Sequence, residues 1–147
     1  MKPPFIKSGA AYRWKAVTIV APYSRTIDGI GVLTEPVFVD DKQDWKLIGE
    51  FVLAALQQAE DGVADLAQSD SGFDPVLRRL PVKSYKTFVK DARLVSFFMD
   101  DKSEKVILEP ESRHGRYFSR NDAPEIICPM DPAIIGNSLK EAFDKST

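Results

Sequence analysis

The chain has 147 residues, of which 44% are hydrophobic and 29% are charged, and its net charge is -2. This size and balance predict one folded domain over residues 1–147 and argue against a disordered chain. The single cysteine, Cys128, excludes an internal disulfide, and no apolar run approaches the roughly 20 residues that cross a bilayer. Because the first residues also lack the apolar core of a signal peptide, we expect a cytoplasmic protein without membrane contact.

The charges are unevenly distributed along the chain. Residues 40–77 contain nine acidic and two basic side chains, whereas the rest of the chain has a net positive charge. Between Lys46 and Arg78 there is no basic residue. This acidic segment is either a solvated loop or a negative surface that attracts a basic partner.

The first half of the chain predicts two strands, a helix and a loop. The segment "WKAVTIVAPYS" is typical of a strand that stops at Pro22, and "IGVLTEPVFVD" predicts a second strand with Pro36 at an edge or bulge. The segment "DWKLIGEFVLAALQQAE" predicts a helix capped by Asp44. Its expected apolar face consists of Leu47, Ile48, Phe51, Leu53, Ala54 and Leu56. The polar, glycine-containing "DGVADLAQSDSGFDP" predicts a long surface loop.

The second half predicts a short helix, a hairpin and a terminal helix. Ser84 is a plausible N-cap for "KSYKTFVKDA", and "RLVSFFMDD" and "EKVILEP" are β-prone segments joined by a polar turn in the middle of the sheet. A short strand is expected around Ile126 and Ile127. The last segment, "MDPAIIGNSLKEAF", places Asp131 and Pro132 at the N-cap and first position of a helix. Its expected face consists of Ile134, Ile135, Leu139, Ala142 and Phe143. This order predicts an α+β fold, a single domain with helices packed on an antiparallel sheet.

The residues that could carry catalysis are few. His114 is the only histidine, it lies between Arg113 and Arg116, and no nucleophile is paired with it. Cys128 lies in the apolar "EIICPM", where a buried, inert thiol is the usual outcome. One cysteine and one histidine cannot supply a zinc site, and the "DD" pairs lack the glycine and terminal glutamate of a calcium loop. We therefore expect no catalytic residues, no metal and no cofactor, although a carboxylate-only enzyme stays open, since sequence alone cannot show two acids converging.

A nucleic-acid-binding or regulatory module is the alternative function. The basic segment 78–93, "RRLPVKSYKTFVKDAR", interleaves cations with Tyr85 and Phe88, which could stack on bases. The competing interpretation is that Phe88 and Val89 enter the core while the lysines are solvated. The overall pI of about 5.5 disfavours electrostatic binding to a polyanion, so nucleic acid is the less favoured partner.

Several segments resemble the immunity proteins of bacterial contact-dependent growth inhibition. In that family a lysine-rich short helix precedes a hairpin that ends in proline, and the last helix contains a glycine-leucine-alanine pattern. The corresponding segments here are residues 83–90, 93–110 and 135–142. The helix that starts at Asp44 also looks like the earlier helix of the family. The resemblance covers roughly residues 44–143 and is weakest in the first third of the chain and in residues 60–74.

The resemblance implies a non-enzymatic inhibitor. Such a protein binds the C-terminal toxin domain of its cognate surface effector in the cytoplasm and neutralises it, and many such toxins are nucleases. Because a nuclease cleft is basic, the acidic segment is the expected interface, with three aromatic anchors. The expected partner-binding residues are Asp40, Asp41, Asp44, Trp45, Glu60, Asp61, Asp65, Asp70, Phe73, Asp74 and Tyr117. The oligomeric state is left open.

Overall fold

The computed structural model describes residues 3–66 and 72–147, and a largely antiparallel sheet forms the centre of the fold. Its strands are β1 (Ser8–Trp14), β2 (Val17–Thr26), β3 (Gly31–Leu33), β4 (Phe38–Asp40), β5 (Asp61–Val63), β6 (Ala92–Asp100), β7 (Lys105–His114), β8 (Tyr117–Arg120) and β9 (Ile126–Cys128). The main order is β3-β2-β1-β6-β7-β8, with β4 and β5 also paired to β2 and β9 paired to β7. The β2–β5 pair is parallel. The predicted α+β class is confirmed.

Two long and two short helices accompany this sheet in the described residues. They are α1 (Trp45–Gln58), α2 (Asp74–Leu77), α3 (Tyr85–Val89) and α4 (Pro132–Lys145). The three predicted caps are confirmed: the side chains of Asp44, Ser84 and Asp131 each accept a hydrogen bond from a backbone N–H in the first turn of α1, α3 and α4. These caps satisfy donors that would otherwise lack an intrahelical partner.

One face of the sheet packs against α1 and α4. Successive side chains of a strand point to opposite faces of the sheet, and every second one points to these helices. Ala11 lies opposite Val20 on β2 and Val95 on β6, and all three are buried in the same cluster. The helices contribute apolar side chains to this cluster, including Ile48, Val52, Leu56, Ile135, Leu139 and Phe143. We call this surface the helix face.

Glycines let α1 and α4 approach each other closely. A Cβ atom at Gly49 would lie 1.9 Å from the carbonyl oxygen of Pro132, and one at Gly136 would lie 1.7 Å from that of Trp45. Both distances are far inside van der Waals contact, and both neighbours are backbone atoms that cannot rotate away. The two helices therefore depend on glycine at both positions.

The other face of the sheet, which we call the aromatic face, is covered by residues 73–89. Tyr12 lies opposite Ile19 and Leu94, and these residues share a second buried cluster. Residues 73–89 contribute Phe73 and Phe88 to this cluster, and the ring centroids of these two residues are 4.9 Å apart. The interpretation of Phe88 and Val89 as core residues is confirmed, since both are buried.

Several predicted boundaries are wrong because pairing and packing override local signals. The strand predicted to stop at Pro22 continues to Thr26, and β1 was not predicted. The second predicted strand is split into β3 and β4, with Pro36 between them. The predicted loop contains β5 and the start of α2, and Ile134, expected in the buried face of α4, is 46% exposed. The predicted hairpin is confirmed, although β7 runs four residues beyond Pro110 to His114.

Candidate functional site

The acidic side chains expected at an interface form two groups, one at each end of α1. In the first group Asp41 and Asp44 are exposed, and Asp44 also accepts the backbone N–H of Leu47 at 3.1 Å. Asp40 is only 6% exposed, and its carboxylate accepts the backbone N–H of Asp44 at 3.1 Å. Asp40 therefore holds the turn before the helix, while Asp41 and Asp44 face solvent.

The second acidic group follows the other end of the helix. Because α1 has 14 residues, the two groups are separated by about 20 Å of helix. Glu60, Asp61 and Asp65 are exposed to solvent. Asp61 accepts two hydrogen bonds of 2.7 Å from the guanidinium of Arg25, an interaction that raises the pKa of Arg25. Asp65 accepts the backbone N–H of Asp28 at 3.1 Å. Arg25 offsets part of the negative charge of this group.

Among the expected interface residues from 70 to 74, those that the structure describes are less accessible. Asp74 starts α2 and is half-buried. Phe73 is only 7% exposed, and its ring centroid lies 4.9 Å from those of Tyr85 and Phe88. Asp70 lies outside the described residues. Phe73 therefore belongs to the core of the aromatic face.

Trp45, the second expected anchor, is half-buried on the helix face. Its ring lies 6.4 Å from that of Phe143, and the guanidinium carbon of Arg13 is 5.5 Å from its centroid. A cation at this distance is attracted by the electron-rich face of the indole. Trp45 thus combines packing with a partly exposed surface near the first acidic group.

The only histidine and the third expected anchor lie at the tip of one hairpin. His114 at the end of β7 pairs with Tyr117 at the start of β8, and Gly115 and Arg116 form the turn between them. Gly115 has a φ of 65°, as a type II′ turn requires at its first central residue. His114 is exposed, and Tyr117 is 78% exposed. Tyr117 is therefore available as a surface anchor.

Two contacts attach this hairpin to α3. The guanidinium of Arg113 donates to the carbonyl oxygens of Val89 and Lys90, which end the helix. The phenol of Tyr85, at the start of α3, donates to the carbonyl oxygen of Arg116 at 2.8 Å. Arg113 thus holds the hairpin to α3 through its side chain, whereas Arg116 does so through its backbone carbonyl.

A cleft of about 370 Å³ opens on the aromatic face, between this hairpin, α3 and the sheet. Among the described residues, its wall carries four tyrosines from four different elements, and its other polar side chains come from β1, β6, β7 and the hairpin turn. The residues that line it are Ser8, Gly9, Ala10, Tyr12, Tyr23, Tyr85, Leu94, Ser96, Phe97, Phe98, Glu111, Arg116, Tyr117 and Phe118. A neighbouring opening brings Phe73 and Tyr117, two of the expected anchors, together with Tyr85 and Arg116.

Glu111 is the one carboxylate among the described residues that line the cleft. It is 9% exposed, and its side chain accepts a hydrogen bond from the hydroxyl of Ser96 on the neighbouring strand. Burial raises the pKa of Glu111 above its ordinary value, although the hydrogen bond from Ser96 opposes this shift. Burial and the nearby Glu111 also raise the pKa of Tyr23. The cleft therefore combines a desolvated acid with electron-rich aromatic walls.

The arginines of the basic segment 78–93 contact two separate parts of the chain. Arg79 donates to the carbonyl oxygen of Val37 at 2.6 Å, and Arg93 donates to that of Phe143 at 3.1 Å, near the end of α4. Arg78 lies 3.9 Å from the carboxylate of Glu35. Arg78 and Arg79 are thus directed to residues 35–37, and Arg93 to the end of α4.

Cys128 is buried in the core of the helix face, and burial raises the pKa of its thiol. A raised pKa reduces the thiolate population needed for nucleophilic attack. Across residues 3–66 and 72–147, no three His, Cys, Asp or Glu side chains are grouped so that they could hold a metal ion. None of the helices described is long and apolar enough to cross a membrane.

Two solved structures share this fold over nearly the whole chain. A protein of unknown function from Neisseria meningitidis matches with a TM-score of 0.78 and 17% sequence identity, covering 100% of this chain and 99% of that one. A chain of the CdiA-CT/CdiI toxin and immunity complex from Yersinia pseudotuberculosis matches with a TM-score of 0.74 and 16% identity, covering 98% of this chain and 99% of that one. No family model and no curated protein matches the sequence significantly. At these identities the likeness shows a common fold.

The cleft is not predictable from any short stretch of the sequence. Tyr12, Ser96 and Glu111 lie on three strands, and Tyr85 on a short helix, so no local motif joins them. The sequence contains one signal. Glu111 directly follows the apolar segment "EKVILEP", and the alternation of side chains along the strand directs it to the aromatic face. A charged residue in an inward phase is uncommon and often marks a site.

Proposed function

We propose that this chain is an immunity protein of the contact-dependent growth inhibition type, with residues 1–147 as its single domain. It binds the C-terminal toxin domain of a cognate surface effector in the cytoplasm and blocks it without catalysing a reaction. The observation that carries the proposal is the fold shared from end to end with a chain of a toxin and immunity complex. The resemblance of residues 44–143 to such immunity proteins supports it independently.

We further propose that the toxin is a nuclease and that the acidic groups guide its approach. A nuclease cleft holds phosphates and is therefore basic, so exposed carboxylates on an inhibitor complement it and speed encounter. Asp41 and Asp44 at one end of α1, and Glu60 and Asp65 at the other, are exposed and suited to this role. Asp40 contributes through the turn that it stabilises.

The direct test uses the toxin domain encoded by the gene next to that of this protein. Co-expression of the protein should restore growth of cells that produce this domain, and the purified pair should form a stable complex. His114→Ala and Cys128→Ala should protect as well as the wild type, because the proposed function needs no nucleophile or general base. Failure of the wild type to bind or protect would refute the proposed function, and loss of protection in a folded His114→Ala variant would refute its non-catalytic nature.

The acidic interface requires a separate kinetic test. The double variant Glu60→Lys, Asp65→Lys should associate more slowly with the toxin at low salt, and the difference from the wild type should shrink at high salt. Its dissociation rate should change little, because rim charges act mainly on encounter. The single variant Asp41→Lys tests the opposite end of α1 in the same way. Stopped-flow rates that match the wild type at low salt would exclude the group concerned from the interface.

A further inference from the structure

The cleft on the aromatic face has a floor that accepts hydrogen bonds and a wall of tyrosines. The carboxylate of Glu111 is buried, and Ser96 donates the one hydrogen bond that its side chain makes among the described residues. The second carboxylate oxygen remains able to accept. Tyr12 and Tyr23 lie close enough to Glu111 for its charge to disfavour their ionisation. A site of this composition favours positive charge, since a buried carboxylate is stabilised by pairing with a cation and aromatic faces attract one.

The one cation among the described residues of the lining makes no ion pair with Glu111. Arg116 is exposed in the hairpin turn, and its backbone carbonyl, rather than its guanidinium, contacts Tyr85. Arg120 on β8 lies 3.6 Å from Glu109 and is itself largely exposed. Glu111 therefore has a hydroxyl partner but no ion pair with a described residue. Arg120 lies opposite Glu111 across β7 and β8, and its charge only partly offsets the effect of burial, so the pKa of Glu111 stays raised. A buried acid without an ion pair, at the bottom of an open cleft, is costly unless a ligand completes it.

We propose that this cleft receives a lysine or arginine side chain of the protein partner, which pairs with Glu111 and stacks against the tyrosines. The proposal rests on the proposed function, since the toxin is the partner concerned, and a basic nuclease surface offers such side chains. A volume of about 370 Å³ accommodates a long side chain and its charged end. Desolvated charged anchors of this kind commonly dominate binding at their interface.

The cleft also adjoins the second acidic group. Tyr23 lines the cleft, while Arg25, two residues further along β2, holds Asp61. Two residues of a strand span about 7 Å. A basic partner drawn by Glu60 and Asp65 would thus arrive next to the cleft, and one surface would serve encounter and anchoring.

The first experiment measures toxin affinity by calorimetry for Glu111→Gln, with Glu50→Gln as matched control on the exposed side of α1. Loss of the carboxylate should weaken binding by at least about tenfold, whereas the control should stay within about twofold of the wild type. Glu111→Asp should restore part of the loss. Arg116→Gln should bind more tightly than the wild type, because it removes a like charge from the rim. If the cleft held an anionic group, Glu111→Gln would bind more tightly than the wild type and Arg116→Gln more weakly. That result would overturn the proposal.

The second experiment tests the cleft without the toxin. Titration with N-acetyl-L-arginine methylamide, followed by backbone amide chemical shifts, should give saturable changes at residues 8–12, 94–98 and 111. The neutral citrulline analogue should not, and Glu111→Gln should abolish the response. Equal responses to both compounds, or an unchanged response in Glu111→Gln, would overturn the proposal.

The two experiments separate the possible failures. If the toxin binds Glu111→Gln as it binds the wild type, the cleft does not hold a toxin cation, while the proposed function stands. If the wild type binds no toxin, the proposed function is refuted, and the arginine titration alone decides whether the cleft is a cation site. Thermal unfolding of each variant at pH 7.5 shows whether a loss of binding reflects misfolding.

Discussion

The two faces of the sheet are built by the same strands but are covered in different ways. The helix face is closed by α1 and α4, each 14 residues long and held together at Gly49 and Gly136. The aromatic face is covered by α2 and α3, which have only four and five residues, and by the chain between them. Long helices bury a continuous apolar stripe, whereas short segments leave gaps between large rings. Both faces therefore carry a buried cluster, and the aromatic face also leaves a polar cleft open.

The largest expected effect comes from emptying the helix face. Leu139 is fully buried between α4 and the sheet, so Leu139→Ala should lower the free energy of unfolding by about 2 to 5 kcal/mol. Ile134→Ala, on the exposed side of the same helix, should cost about 1 kcal/mol or less. Urea denaturation measures both. Equal stability of Leu139→Ala and the wild type would contradict the described packing of α4.

A smaller loss should follow from separating the two long helices. Gly136→Ala raises the intrinsic helix propensity by about 1 kcal/mol, yet its Cβ would collide with the carbonyl oxygen of Trp45. We expect the collision to prevail and the variant to be less stable than the wild type by about 1 to 3 kcal/mol. Asn137→Ala, at the exposed neighbouring position, should be neutral or slightly stabilising. A stabilised Gly136→Ala would show that α1 and α4 do not approach this closely.

These contrasts explain which parts of the fold the sequence could predict. Asp44 and Asp131 are local signals, because a cap needs only its own first turn, and both helices were predicted correctly. The strand β1 was missed because Ala10 and Ala11 have low β propensity, and the strand forms through its pairing with β2 and β6. The exposure of the acidic residues depends on neighbours distant in the chain, as the burial of Asp40 shows. The cleft depends on such neighbours entirely.

A still smaller effect is expected at the edge of the cleft. Tyr85→Phe removes the hydrogen bond to the carbonyl oxygen of Arg116 and should lower the free energy of unfolding by about 0.5 to 1.5 kcal/mol. Tyr117→Phe is the matched control, since the ring of Tyr117 is 78% exposed and its hydroxyl makes no hydrogen bond with the described residues. Its stability should equal that of the wild type. Equal stability of both variants would mean that the Tyr85 contact does not hold the hairpin to α3.

The smallest expected effect is a pH-dependent gain of stability in Glu111→Gln. Burial raises the pKa of Glu111, so the folded chain retains this proton to higher pH than the unfolded chain. The stability that the protonated acid contributes is fully present below the pKa of Glu111 in the unfolded chain, near pH 4. It is lost as the pH rises through the pKa of Glu111 in the folded chain. Glutamine stays neutral and can still accept a hydrogen bond from Ser96. The variant should therefore match the wild type near pH 4 and melt at a higher temperature near pH 7.5.

The same comparison isolates Glu111 from the other charged and titratable groups around it. These groups are present in both proteins, and they are Tyr12, Tyr23, Tyr85, Glu109, Arg116, Tyr117 and Arg120. If Glu111 served only packing, its replacement would make the protein less stable. We expect instead that Glu111→Gln makes the protein more stable and weakens its affinity for a cation. Such opposite changes are typical of a site that is held in a costly state for its ligand. Differential scanning calorimetry between pH 4 and pH 8, on the wild type and Glu111→Gln, measures the effect, and a lower melting temperature of the variant at pH 7.5 would show that Glu111 stabilises the fold instead.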